Sequence, residues 1–207
     1  MKRFQIVAIL LCIALITPVM AQAQSNVKPI QISIFDPIQL IDAGTSIYGL
    51  RINLIYGVNQ DVKGLDLGLV NKLTGDLTGG QGGIVNLVGG DVGGIQSGLV
   101  NYVEGSVIGD QYGMVNIVKG SVGGAQSGFV NYVEGDIAGH QYSMVNIVKN
   151  DTEGFQIALV NSTSDMQGLQ IGVLNLADTL KGLQVGLLNL NMSGDPYKFL
   201  PIVNFAF

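Results

Sequence analysis

Nine asparagines recur along this chain at a nearly constant interval. Asn71, Asn86, Asn101, Asn116, Asn131, Asn146 and Asn161 lie fifteen residues apart, and Asn175 and Asn189 follow in two steps of fourteen. A glutamine column runs five residues earlier, at Gln81, Gln96, Gln111, Gln126, Gln141, Gln156, Gln170 and Gln184, with Asp66 in its first slot. The shared core is Gly-x-Gln-x-Gly-apolar-apolar-Asn. A chain this regular is one small unit copied and stacked, because such a unit buries its apolar face only against its own copies.

Each unit pairs an extended stretch with a turn. Val122 to Val133 is rich in β-branched and aromatic residues, and Glu134-Gly135-Asp136 follows it. Equivalent turns occur at Thr74-Gly75-Asp76, Glu104-Gly105-Ser106, Lys119-Gly120-Ser121 and Lys149-Asn150-Asp151. These residue types accept positive φ or bond their own backbone. No stretch holds a period near 3.6, so no helix is expected after the leader. No proline lies between Pro37 and Pro196, as an unbroken strand ladder requires, since proline cannot donate to it.

The columns separate constrained from free positions. The glycine two before Gln never varies from Gly64 to Gly182. The glycine two after it gives way only to Ser143 and Ala158. Tolerance of small side chains alone points to close backbone approach there rather than to a need for positive φ. The position just before Gln wanders through Gly80, Ile95, Asp110, Ala125, His140 and Phe155 and is expected to face solvent. The Val or Leu just before Asn is expected to face the core.

Buried Gln and Asn need hydrogen-bond partners. Stacking like on like supplies them, so both columns are read as structural side-chain ladders. A second period of thirty overlies the first. Ser97, Tyr112, Ser127 and Tyr142 alternate in size, and Glu104, Lys119, Glu134 and Lys149 alternate in sign. With fifteen residues per coil these become vertical neighbours, Glu over Lys; with thirty, like charges would stack. The expected fold is an all-β repeat protein, a β-solenoid of about fifteen residues per coil. The alternative is an antiparallel up-and-down β-barrel of the outer membrane. It also explains the alternation, with Glu turns at one end and Lys turns at the other. Equal strands and equally short turns give little of the stagger and none of the long loops of such barrels. The more apolar last repeats, with Leu169, Ile171, Val173 and Leu183, Val185, Leu187, face lipid in a barrel or pack on a cap in a solenoid.

The chain divides into a leader at 1–23, a lead-in and cap at 24–48, the repeats at 49–191 and a final capping strand at 192–207. Lys2 and Arg3, the apolar run Phe4 to Ile16, Pro18 and Ala21-Gln22-Ala23 have the order of a secretory signal with its cleavage site. Cys12 is the one cysteine and lies inside the apolar run, so the exported part would carry no disulfide. Without Lys2 and Arg3 the 10 basic residues fall to 8 against 15 acidic ones, a net charge of −7. That excludes nucleic acid as an expected partner, since phosphates need clustered Lys and Arg. Val203, Phe205 and Phe207 alternate up to the last residue. The pattern fits a strand closing a core, and it also resembles the assembly signal of outer-membrane barrels.

Catalytic chemistry finds little support. His140 is the only histidine; it sits in a variable column with no recurring nucleophile or orienting carboxylate. Asp76, Asp91, Asp136 and Asp151 form a turn column that could recruit Ca²⁺, but Ser106 and Ser121 interrupt it and the calcium-roll spacing is absent. No phosphate loop or dinucleotide fingerprint occurs. Tyr102, Tyr112, Tyr132 and Tyr142 suggest an aromatic stripe for glycans, yet alternation sends Tyr102 and Tyr112 to opposite faces. No enzyme, cofactor or metal site is expected.

Gly-Leu-Gln-Ile-Gly-Val-Leu-Asn at 168–175 and Gly-Leu-Gln-Val-Gly-Leu-Leu-Asn at 182–189 resemble the surface repeats of a family of secreted bacterial envelope proteins. Tyr48 to Gly57 and Leu200 to Phe207 are similar to the lead-in and ending of that family. The resemblance spans about residues 30–207. It implies an envelope or surface location and carries no activity or functional residues. The expected function is a non-enzymatic exported repeat protein, structural or adhesive, that binds a surface ligand or envelope component. An outer-membrane barrel is the alternative.

Overall fold

The computed structural model describes residues 27–207, so the leader falls outside the described residues. The repeats form a two-sided β-solenoid of parallel strands. The coil at the centre shows the plan. Strand Val107–Tyr112 runs along one side, Gly113 and Met114 turn a corner, and strand Val115–Val118 returns along the other. Lys119 to Ser121 then climb to Val122. Val107–Tyr112 pairs in parallel with Val122–Ser127 above and Val92–Ser97 below, always fifteen residues away. Val115–Val118 pairs likewise with Val130–Val133 and Val100–Val103. Gln stacks on Gln and Asn on Asn throughout. The antiparallel barrel is therefore not the fold of this chain.

Even the corners are stitched between coils. The Gly113 N–H donates to the Ser127 carbonyl above, and Met114 N–H to the Leu99 carbonyl below. A coil thus satisfies its backbone almost wholly through its neighbours, which is why no unit of this length folds by itself. Ten rungs at about 4.8 Å give a rod of about 50 Å.

The interior has two unlike halves. Val107 and Val118, with their equivalents from Ile47 to Val148, form a continuous apolar core on the turn side. Gln111 and Asn116, with their equivalents, fill the corner side and are fully buried. The Val before each Asn does not face the core. Val85, Val100, Val115, Val130 and Val145 are half-buried, and Leu188 is exposed. Strand alternation supplies the reason: once Asn116 points inward, its neighbours Val115 and Ile117 must point outward, and Val118 returns to the core.

The two glycine columns differ physically. Gly94, Gly109 and Gly124 hold φ near +140° (138, 137 and 142), and a Cβ there would overlap the carbonyl oxygen of the glycine one coil below. The column after Gln needs no positive φ, in line with the sequence. A Cβ on Gly113 would sit 2.8 Å from both the Gly98 carbonyl oxygen and the Asn101 amide nitrogen. That is tight but yielding, and Ser143 and Ala158 show how it yields.

Both ends of the rod are closed by strands carrying proline. Val27–Phe35, with Pro29, lies parallel to the first coil, Ser46–Asn59. Phe199–Ala206, with Pro201, lies antiparallel to the last turn of Val160–Asn191, pairing Gln184 with Asn204. Proline on an outer strand leaves the next chain no complete ladder to join. The last strand closes the core with Asn204 and Ala206, whereas Val203, Phe205 and Phe207 point outward. Leu183 and Val185 lie beside Phe205 and Val203 of this strand, so the last coil packs on a cap.

Candidate functional surface

The polar columns form two continuous ladders of opposite polarity. Each Asn amide donates upward to the Asn of the next coil: Asn71 to Asn86 at 2.9 Å, then on to Asn101, Asn116 and, with the last steps, Asn189. It also donates to the backbone carbonyl after the next Gln, as Asn101 does to Tyr112 at 3.0 Å. Each Gln amide donates downward: Gln184 to Gln170, Gln126 to Gln111 at 2.7 Å, Gln96 to Gln81. Two amide rows running in opposite senses cancel much of each other's dipole, which suits side chains buried away from solvent.

Asp66 fixes the direction of the Gln ladder. A carboxylate only accepts, so Gln81 must turn its amide nitrogen toward it, at 2.7 Å, and every Gln above follows. Below, Arg51 only donates, through Nε to Oδ1 at 2.7 Å and Nη2 to Oδ2 at 2.8 Å. Both residues are fully buried. At the other end Asn204 donates to Gln184 Oε1 at 3.4 Å. The Asn ladder starts from Asn53, which receives the Ser33 hydroxyl and donates to Asn71. Every Gln and Asn singled out in the sequence lies in one of these rows. Arg51 and Asn53 were missed, although an arginine fifteen residues before the one acid of the Gln column was the available signal.

Where Ser143 and Ala158 replace glycine, the Asn ladder is looser. Asn131 to Asn146 and Asn146 to Asn161 measure 3.0 Å, against 2.8 Å at Asn101 to Asn116. The Ser143 hydroxyl also donates to Asn146 Oδ1, at 2.7 Å, and shares that acceptor with Asn131.

The residues considered for chemistry are spread along the rod. The aspartates of the turn column accept backbone N–H groups one coil up: Asp61 from Asp76, Asp76 from Asp91, Asp91 from Ser106. Ser106 and Ser121 take the same part with their hydroxyls, so the serines continue the column. Among the described residues no three His, Cys, Asp or Glu side chains gather at a metal-binding spacing. His140 stacks flat on Phe155 one coil above, ring centres 4.1 Å apart, and its Nδ1 has no partner. Lys119 and Glu134 form an exposed ion pair between coils. The hydrogen bond between them raises the Lys119 pKa and lowers that of Glu134. Tyr112 and Tyr132 lie on opposite sides of the corner, one in each strand row.

The corner itself is the unusual surface. The first apolar residue of each Gly-apolar-apolar-Asn stands on it, giving a ridge from Leu69 through Leu99, Met114, Phe129 and Met144 to Leu187, which Leu54 of the register-shifted first coil extends to ten rungs. These side chains are all about half exposed, from 44% at Val173 to 66% at Leu187. The rungs are tied by Met114 N–H to the Leu99 carbonyl, Phe129 to Met114 and Met144 to Phe129. From Gly82 to Leu190 the outward positions flanking the ridge carry no charge. Most acids and lysines collect at the opposite edge; Asp110, which accepts the Tyr112 hydroxyl, and Lys72, beside Asn71, stand apart from them. The corner is thus inverted, with amides inside and hydrocarbon outside.

Comparison with protein-family models, with curated proteins and with solved structures returns no match.

Proposed function

We propose that this chain is a non-enzymatic repeat protein, exported to the bacterial envelope, that serves as a structural or binding module. The observation carrying this reading is the apolar ridge running the length of a rod whose amides are consumed in its interior, with uncharged flanks from Gly82 to Leu190. A continuous exposed apolar strip of this length marks an interaction surface in a folded protein. The ordered order of basic, apolar and small residues in 1–23 supports export, as does the resemblance to secreted envelope repeats. The binding role is that of a rigid straight edge, with affinity accumulated over many equivalent rungs.

Fractionation of cells producing the full-length sequence, with N-terminal sequencing of the product, tests the reading. The expected product begins near Gln24 and lies outside the cytoplasm, free or bound to the outer membrane. Uncleaved protein in the cytoplasm overturns the exported role.

A further inference from the structure

The ridge has ten rungs, so its midpoint falls between Met114 and Phe129. The flanking columns are complementary about that same midpoint. In the column two residues before the ridge, Tyr112 is the counterpart of Ser127, Tyr142 of Ser97, and Ile157 of Gly82. In the column three residues after it, Tyr132 is the counterpart of Ile117 and Tyr102 of Ile147. Across the six central rungs a larger side chain meets a smaller one when the rod is turned end for end about its midpoint, while the outer pair Leu67 and Ile171 is alike in size.

We infer that two copies of this chain pair antiparallel along the ridge, related by a twofold axis that crosses the rods between the Met114 and Phe129 rungs. A two-fold contact must be self-complementary, with residue i of one copy meeting j of the other and j meeting i. The column pattern meets that condition, and another solenoid of this chain repeats the 4.8 Å rung spacing. The area suffices as well. Ten half-exposed large side chains present on the order of 800 Å² of apolar surface, about one partner's share of a standard interface. A lipid surface fits less well. The net charge is −5, and no cluster of Lys or Arg borders the ridge to meet anionic headgroups. The inference deepens the binding-module reading by naming the partner and rests on it; export is tested separately, so the two can fail independently.

The antiparallel register makes Leu99 face Met144 of the second copy. In one chain the two stand three rungs, about 14 Å, apart and cannot pair. Protein is produced from the full-length sequence with Cys12→Ser, and association is followed by light scattering and sedimentation. The wild-type surface should give twice the chain mass at micromolar concentration. Leu99→Lys and Met144→Asp should each weaken association at least tenfold with an unchanged unfolding midpoint, because both sites are exposed. The double variant L99K/M144D should regain the dimer, since each lysine then faces an aspartate. In a second measurement, Leu69→Cys mixed with Val173→Cys should form a mixed disulfide, while neither forms one alone. A monomeric wild type overturns the inference, including one that floats with phosphatidylcholine vesicles, which assigns the ridge to lipid. Disulfides in the Leu69→Cys protein alone overturn the antiparallel arrangement, as does failure of the double variant to recover.

Discussion

Replacing Arg51 and Asp66 singly and together tests whether this buried pair sets the polarity of the glutamine ladder. The Asp66 carboxylate takes four donors: Arg51 Nε and Asn53 on Oδ1, Arg51 Nη2 and Gln81 on Oδ2. Asp66→Gln keeps an acceptor for Gln81 but leaves a buried guanidinium with only Asn59 and the Lys72 carbonyl. Arg51→Met leaves a buried carboxylate with two neutral donors. Removing one member of a buried pair costs about 3–5 kcal/mol. The double variant R51M/D66Q holds no charge and extends the ladder by one amide, whose own N–H₂ loses a partner at a cost of about 1–3 kcal/mol. It should therefore be more stable than either single variant and far from the sum of both. Urea denaturation followed by circular dichroism measures this, as shifts in midpoint at constant m-value. A double variant destabilised by the full sum of the singles would refute the reasoning, because the two residues would then act independently.

The ladder itself is tested by Gln126→Leu, which orphans the Gln141 amide above and the Gln111 carbonyl below. The loss should be about 2–6 kcal/mol, from two buried groups at 1–3 kcal/mol each, and amide exchange should rise in the neighbouring coils first. Gly109→Ala combines a forbidden φ with backbone overlap and should cost about 3 kcal/mol or more, against about 1 kcal/mol for Gly113→Ala, by thermal unfolding. Ser143→Gly should shorten the Asn131 to Asn146 bond toward the 2.8 Å seen at its glycine-backed equivalents, as read in a high-resolution structure. For Lys119 and Glu134 the signs are opposite. Glu134 is lowered from 4.5, so its contribution holds above that value and fades as acid passes through the lowered pKa. Lys119 is raised from 10.5, so its contribution holds below that value and fades as pH climbs through the raised pKa. Because both are exposed and screened by salt, Lys119→Met should leave the midpoint at neutral pH and physiological salt unchanged within error.

The repeat made the coil the expected fold but left a barrel open, which the parallel pairing of strands fifteen residues apart excludes. A fifteen-residue period carrying one Gln and one Asn satisfies those amides like over like, and Glu stands over Lys when one period makes one coil. The glycine column after Gln was legible, since a position that tolerates Ser143 and Ala158 cannot demand positive φ, whereas the positive φ of the column before Gln emerged only from the structure. The inward direction of each side chain was harder. Val115 and Val118 are the same residue three apart in one strand, and composition does not separate them; only the corner at Gly113 and Met114 sets the phase of the alternation. That phase turned the Val before Asn outward and put Met114 and Phe129 on a ridge. The direction of the ladders lay beyond the repeat as well. An amide row can run either way, and its sense is chosen where Asp66 meets Arg51 across a full coil. Period, stacking and the absence of proline are properties of sequence because they are local and repeated. Phase, polarity and the exposed apolar edge belong to the tertiary structure, because each depends on which residues one coil brings against the next.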